Sequence, residues 1–253
     1  VIHVATQGFR IEGTTIIADA GVLTAKAAHE SVKAGLTGFE WGVGVPGTLG
    51  GAVRGNAGAM GKEMKDDVLK IVVYQDGDVV EIMNDACGFG YRTSMLKETN
   101  AVVLEIWLRT EKATSADGMK KALEVLAYRQ KTQPKGVASS GCVFKNVAIG
   151  DHDIPQEDAK KHRAALLTHF DNDNEKVQSF LRIGKISAGW LIEQAGLKGL
   201  RMGTVEVSPV HGNFIVSSGG NARASDVRAL VTHIKDAVFA QYGIALEEEI
   251  VMW

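Results

Sequence analysis

This sequence has little cysteine. Cys87 and Cys142 are the only two among 253 residues, and neither belongs to a C-x-x-C pair, so neither a disulfide framework nor a zinc site is the natural reading. No apolar run reaches the roughly 18 residues that a membrane-spanning helix needs, and no basic-then-apolar segment of the secretory type opens the chain. Positive charge is not in excess either. Lys and Arg number 28 against 30 Asp and Glu, without a basic stripe interleaved with aromatics, so a nucleic-acid partner is not suggested. Together these absences read as a cytoplasmic protein with neither a nucleic-acid nor a membrane partner. An initiator methionine is also lacking: the opening VIHVATQGF reads as a strand, and the start is expected to lie inside a larger domain.

What is present is the composition of a packed enzyme, 45% apolar and 23% charged, in a length that suits one large domain or two ordinary ones. The β-branched runs broken by Gly8, Gly13 and Gly21 predict two short strands. VLTAKAAHESVKAG follows at helical spacing and stops at Gly35, and VLKIVVYQDGDVVEI predicts a hairpin turning at Asp76 and Gly77. NAVVLEIWLRT is a further strand. The pattern changes near Thr114, where TSADGMKKALEVLAYRQ places Met119, Ala122, Leu123 and Leu126 on one predicted inward face. The expected division is therefore into residues 1–112 and 113–253, both α+β, with a polar insertion near 150–184 read as a surface helix with flanking loops. A last helix after Ser225 turns Val227, Leu230, Val231, Ile234 and Val238 inward and closes at Gly243, before a predicted strand IALEEEIVMW.

The densest glycine lies in GVPGTLGGAVRGNAGAMG, residues 44–61. GVGVPG fits the G-x-G-x-x-G letters, but no β-branched strand precedes it and the supposed helix is itself full of glycine, so the dinucleotide fingerprint is rejected. GAMGKE fails as a P-loop, because Glu63 stands where Ser or Thr would hold magnesium. Two readings of the glycines stay open on spacing alone. Either bare backbone is brought up to a pyrophosphate or flat ring, or tight turns pack against a sheet.

The stretch FEWGVGVPGTLGGAVRGNAGAMGKE resembles the flavin-binding segment of the bacterial UDP-N-acetylenolpyruvoylglucosamine reductases, also called UDP-N-acetylmuramate dehydrogenases. FGYRTSMLK, SSGCVFKN, AGWLIEQAGLKGLRMGTVEVSPVHGNFIV and LEEEI resemble further blocks of the same family, in the same order. The resemblance implies an FAD-binding domain of the vanillyl-alcohol-oxidase-like type, of which this chain holds the second half only, followed by an α+β substrate-binding domain. It implies FAD as cofactor, NADPH as hydride donor and UDP-N-acetylglucosamine enolpyruvate as substrate, reduced to UDP-N-acetylmuramate for peptidoglycan. The family's first subdomain, with a second glycine-rich loop for the FAD pyrophosphate, would precede Val1. Without it the isolated chain is expected to fold poorly or to self-associate.

The same resemblance assigns residues. Arg92, in GYRTS, matches the catalytic arginine, and its guanidinium fork suits a carboxylate whose charge grows as the double bond is reduced. Glu249 matches the catalytic glutamate. Cys142 stands where the family usually carries a proton-donating serine, and a thiol is the better acid. The alternative is a small buried filler, with Ser139, Ser140 or water giving the proton. Flavin contacts carry over to Pro46, Gly47, Thr48, Gly50, Gly51, Ala52, Asn56, Ala57 and Gly58, and substrate contacts to Lys145, Asn146 and Gln194; no metal is implied. Tyr91 and Ser94 are expected near the flavin edge, whereas Lys198, His211 and Asn213 receive no chemistry. Two other functions compete: a different flavin oxidoreductase of the same superfamily, and a non-catalytic remnant that binds nucleotide sugars. The oligomeric state is not legible.

Overall fold

Asp76 and Gly77 take left-handed φ of 53° and 100°, which a two-residue turn between right-twisted strands requires. Across that turn Val68–Gln75 pairs with Asp78–Met83, setting Ile71 opposite Ile82 and Val73 opposite Val80. The structure, a computed structural model, describes residues 3–150, 154–217 and 219–251. It divides into two units, Val1–Lys131 and Thr132–Trp253. In the first, five antiparallel strands lie in the order Phe9–Glu12, Thr15–Asp19, Val102–Arg109, Val68–Gln75, Asp78–Met83. Ile16, Ile71, Val73, Ile106 and Leu108 join one buried cluster with Ala27, Ala28, Leu49 and Val53 of the covering helices. The helix Thr24–Lys33 buries Thr24, Ala27, Ala28, Ser31 and Val32, the spacing of a single helical face, and the chain reverses at Gly35 with φ 72°.

The helix Ser115–Thr132 differs from expectation in its face. Gly118, Ala122 and Val125 are its buried residues, whereas Leu123 is 58% exposed and Met119 and Leu126 also lie outward. Close approach explains the choice: a Cβ on Gly118 would stand 3.3 Å from Val32 Cγ1 and 3.4 Å from the Leu36 carbonyl oxygen, so small residues dock where leucines do not fit. Thr114 caps the helix by accepting the Asp117 N–H at 3.1 Å, and Ala113 N–H donates to Gly35 O at 2.8 Å. All of this helix but Thr132 falls within the first unit, and the division comes at Lys131 and Thr132 where the sequence pattern put it at 112/113.

In the second unit four antiparallel strands lie in the order Ala138–Cys142, Phe214–Ser217, Val205–Val207, Arg201–Met202. The helix Ala224–Tyr242 buries Leu230, Val231, Ile234, Val238 and Tyr242 and ends at Gly243 with φ 67°; Val227 packs partly buried on the same core. The 150–184 segment is more than surface. It forms the helices Gln156–His169 and Glu175–Ile183 and sends Leu166, Val177 and Phe180 into the core. The Phe170 ring lies 4.5 Å from Trp190 and 4.9 Å from Tyr242. Residues 151–153 of it lie outside the described residues.

Among its described residues, 244–251, the predicted strand over 244–253 does not form, and their regular pairing is a single bridge, Phe144 with Glu248, because the stretch beside them is the short one around Phe144. Leu246 is buried, Glu247 pairs with Lys145, and Glu248 meets Lys235 at 2.8 Å. Met252, expected to share the Leu246 face, lies outside the described residues.

Candidate active site

In the first unit the glycine segment is a 3-10 turn, Glu40–Gly44, followed by the short helix Leu49–Arg54. Glu40 is buried, accepting the Gly38 N–H at 2.7 Å and the Thr37 hydroxyl. The Trp41 indole donates to buried Asp67 at 2.8 Å, and Lys62 reaches the same carboxylate at 3.1 Å. Burial outweighs both donors and raises that carboxyl above its ordinary value. The turn is thus pinned before the helix begins.

The nine flavin candidates separate into two sets. Ala52 and Asn56 are buried, and Gly50 and Gly58 face the protein: a Cβ on Gly50 would stand 2.9 Å from Ala20 Cβ, and one on Gly58 2.6 Å from Lys62 O. Pro46, Gly47 and Gly51 are exposed. Gly47 has φ 89°, with no described atom within 4 Å of a Cβ there, and at Gly51 the nearest is Thr48 Oγ1 at 3.7 Å. The packing reading therefore describes Gly50 and Gly58, while Gly47 and Gly51 present open backbone. The exposed backbone at 46, 47 and 51 fits a flat ring system laid against it, and Thr48 and Ala57 flank it half-buried. Arg54 shares the exposed side and was passed over by sequence reasoning, which followed the glycines.

Asn56 faces the other way. Its side chain donates to Glu63 at 2.9 Å and to Gly90 O at 2.8 Å and accepts the Lys65 N–H at 3.0 Å. Gly90 opens the turn that carries Arg92. Gly90 and Thr93 exchange both backbone hydrogen bonds, at 3.1 and 3.2 Å, and Arg92 between them has φ 58°. Ser94 Oγ donates to Arg54 O at 2.8 Å and Lys97 Nζ to Arg92 O at 2.7 Å. A non-glycine residue in the left-handed region costs about 1–2 kcal/mol, so these anchors hold a strained arginine in place. Its guanidinium lies 5.1 Å from the Tyr91 ring centroid.

In the second unit Cys142 is half-buried at the end of Ala138–Cys142, after an irregularity in pairing that follows Ser139. The next residues leave the sheet and meet the C-terminal segment. Glu249 N–H donates to Val143 O at 2.8 Å, and Lys145 N–H donates to Glu247 O at 2.8 Å. The structure thereby brings the Cys142 loop and Glu249 together within one unit. Asn146 is exposed with its Oδ1 accepting the Ala188 N–H at 3.2 Å, and Gln194 is exposed at the end of the helix Ala188–Gln194. Cys87, by contrast, is buried in the first unit, and burial pushes its thiol up to about 11.

A family profile described as UDP-N-acetylenolpyruvoylglucosamine reductase, C-terminal domain, matches residues 133–253, and one described as FAD binding domain matches residues 3–83. The UDP-N-acetylenolpyruvoylglucosamine reductase of Caldanaerobacter subterraneus is 35% identical over 241 residues, covering 95% of this chain and 68% of that protein. The chain belongs to the UDP-N-acetylenolpyruvoylglucosamine reductase family. The reductase of Bacillus subtilis is 32% identical over 242 residues, with the same coverage of 95% and 68%. The crystal structure of the reductase from Thermus caldophilus superposes with a TM-score of 0.70 at 33% identity, over 92% of this chain and 71% of that one.

Membership in this reductase family agrees with the α+β reading and with FAD as cofactor. Arg92 lies in the first unit, and Cys142, Lys145, Asn146, Gln194 and Glu249 lie in the second. Asn213, which received no chemistry from the family resemblance, is buried beside the Cys142 loop. Its only sequence signal was its place in a block resembling the family. Among the described residues no helix is long and apolar enough to cross a membrane.

Proposed function

We propose that this protein carries out the reaction its family is named for: the FAD-dependent reduction by NADPH of UDP-N-acetylglucosamine enolpyruvate to UDP-N-acetylmuramate. Bound FAD supplies the hydride, taken from NADPH and passed to the terminal carbon of the enolpyruvyl double bond. Arg92 pairs with the substrate carboxylate, where charge builds as the double bond is reduced, and a rigid fork held at a fixed backbone angle stabilises it without rearranging. Cys142 gives its S–H proton to the carbon bearing the ether oxygen and regains a proton from solvent. Lys145, Asn146 and Gln194 bind the substrate. Pro46, Gly47, Thr48, Gly51 and Ala57 would contact the flavin, while Gly50, Ala52, Asn56 and Gly58 would support that surface from within the protein. Since both NADPH and the nucleotide sugar are charged metabolites of the cell interior, we also assign the protein to the cytoplasm.

The observation that carries the site assignment is the bonding of Glu249 N–H to Val143 O, which fixes the glutamate beside the loop of the proton donor. The test separates the two half-reactions anaerobically in wild type, Cys142→Ser and Cys142→Ala. Flavin bleaching by NADPH stays intact in all three. Reoxidation by the enolpyruvyl substrate survives in the serine variant and falls by roughly 10²–10⁴-fold in the alanine variant, the usual contribution of a positioned proton donor. Equal reoxidation rates in all three would remove Cys142 from the mechanism. The other functions, a different oxidoreductase or a binding remnant, predict a flavin that this substrate never reoxidises.

A further inference from the structure

We propose that Asn213 is a positioning residue that sets Cys142 against Glu249. The proposal rests on the proton-donor role proposed for Cys142 above and on the match of Glu249 to the family's catalytic glutamate. Asn213 is 3% exposed, and every polar group it owns is spent on the Cys142 loop or on its own support. Its Oδ1 accepts the Phe144 N–H at 2.9 Å and its Nδ2 donates to Phe144 O at 2.8 Å. One side chain thus satisfies both backbone groups of one residue, as a neighbouring strand would. Its carbonyl accepts the Val143 N–H at 2.9 Å, and its own N–H donates to His211 Nδ1 at 3.1 Å.

The reason for an amide lies in where the sheet stops. Pairing between the strands ends with Cys142 opposite Phe214, so Val143 and Phe144 leave the ladder while still buried, at 1% exposure each. Their backbone groups need partners. Val143 O takes the Glu249 N–H on one side, and Asn213 takes Val143 N–H and both groups of Phe144 on the other. The loop is therefore held between Asn213 and the C-terminal segment. An aliphatic side chain at 213 leaves two buried groups unmade, and an aspartate matches only one of them. Behind Asn213, His211 is itself wedged: its N–H reaches Ser208 Oγ at 3.3 Å, and a Cβ on Gly189 would stand 2.9 Å from its Cε1. Movement of the asparagine is restricted from both sides.

The experiment compares flavin-loaded wild type with Asn213→Ala, Asn213→Asp and, as a control for mere loss of core stability, Val231→Ala. Four quantities are read: the rate of flavin bleaching by NADPH, the rate of reoxidation by UDP-N-acetylglucosamine enolpyruvate, the labelling rate of Cys142 by iodoacetamide, and hydrogen exchange at the Glu249 amide. In both Asn213 variants bleaching stays within about twofold of wild type, while reoxidation falls by about a hundredfold, the usual scale for a misplacement near 1 Å. Cys142 labelling shifts several-fold and the Glu249 amide exchanges faster. Val231→Ala lowers the melting temperature and moves none of the four. Reoxidation, labelling and exchange all within about twofold of wild type in Asn213→Ala overturn the proposal. So does a proportional fall of both half-reactions accompanied by the same response in Val231→Ala. If the wild type itself is not reoxidised by this substrate, the functional reading fails, and labelling and exchange alone decide the positioning role: a change upholds it, no change refutes it.

Discussion

A methyl group added at either of two adjacent glycines separates protein packing from cofactor contact. At Gly50 a Cβ would stand 2.9 Å from Ala20 Cβ and 3.2 Å from Ala20 O, and the Gly50 N–H already donates to that oxygen at 3.0 Å, so the short helix cannot lift without losing a bond. Overpacking of this kind costs about 1–3 kcal/mol, and the gain of alanine over glycine in a helix returns about 0.5–1. Gly50→Ala is therefore expected to lose about 1 kcal/mol, the middle of a span of about 0–2.5, and so roughly 2–4 °C in melting temperature for a chain of this size. At Gly51 the nearest atom would be Thr48 Oγ1 at 3.7 Å, an ordinary contact. Gly51→Ala should leave the flavin-free protein as stable as wild type or up to about 1 kcal/mol more stable. The same methyl would stand between open backbone and a bound ring, weakening FAD by about 1–3 kcal/mol, or roughly 5- to 150-fold. Thermal unfolding of the flavin-free variants and fluorescence titration with FAD measure the two effects. Unchanged FAD affinity in Gly51→Ala would refute the flavin contact there, and unchanged stability in Gly50→Ala would refute the packing argument.

Three other substitutions probe hydrogen-bonded supports within each unit. Asp67→Ala leaves the Trp41 indole N–H without its 2.8 Å partner and should cost about 1–3 kcal/mol in urea unfolding, part of which returns in the Trp41→Phe, Asp67→Ala double variant. His211 is held below its ordinary value of 6.5, first by burial and then by Lys198. Its folded pKa lies under the unfolded one, so its contribution is full above pH 6.5 and is lost as pH falls through the window below it, at most about 1.4 kcal/mol per pH unit. His211→Gln should flatten the fall in melting temperature over that window, and an unchanged slope would assign the acid sensitivity elsewhere. Asn56→Asp keeps the acceptor for the Lys65 N–H but sets a carboxylate against Glu63 and the Gly90 carbonyl, two unmade bonds at about 1–3 kcal/mol each. Its hydrogen exchange should rise first at the Gly90 and Thr93 amides.

Much of the fold was legible because its signals are local. The Asp76–Gly77 turn, the reversal at Gly35 and the inward stripe of Ala224–Tyr242 each depend on residues within a few positions of one another, and each forms as the pattern predicts. The helix Ser115–Thr132 misled for a physical reason. Apolar periodicity favours Met119, Leu123 and Leu126, but the distance to Val32 and Leu36 admits only the face of Gly118 and Ala122, and that distance is a tertiary property. The C-terminal segment misled similarly, since an alternating pattern makes a strand only where a partner runs alongside, and the partner here spans residues 143–145.

The proposed site residues were picked out in the sequence by a family resemblance, and the contacts that hold them in place were not. Arg92 and Glu249 sit in loops and Cys142 at the last pair of its strand, so ladder hydrogen bonds do little to fix them, and the backbone groups around them must find partners from elsewhere in the chain. Asn56 and Asn213 meet that need in the same way. Each is buried, and each reaches the turn or loop of a reactive residue across 34 and 69 positions of sequence, respectively. An asparagine surrounded by glycine and small residues reads as a turn former, because its local neighbours carry no trace of a distant carbonyl. An amide matches a peptide group donor for acceptor, so it can end a sheet without leaving buried groups unpaired. It thereby lets a short loop be as well ordered as a strand while its neighbours' side chains stay outside the ladder. Arg92 at φ 58° shows what that order achieves: a conformation the free chain rarely samples is held by bonds from Asn56, Ser94 and Lys97, so its placement follows from tertiary structure and not from the residues beside it.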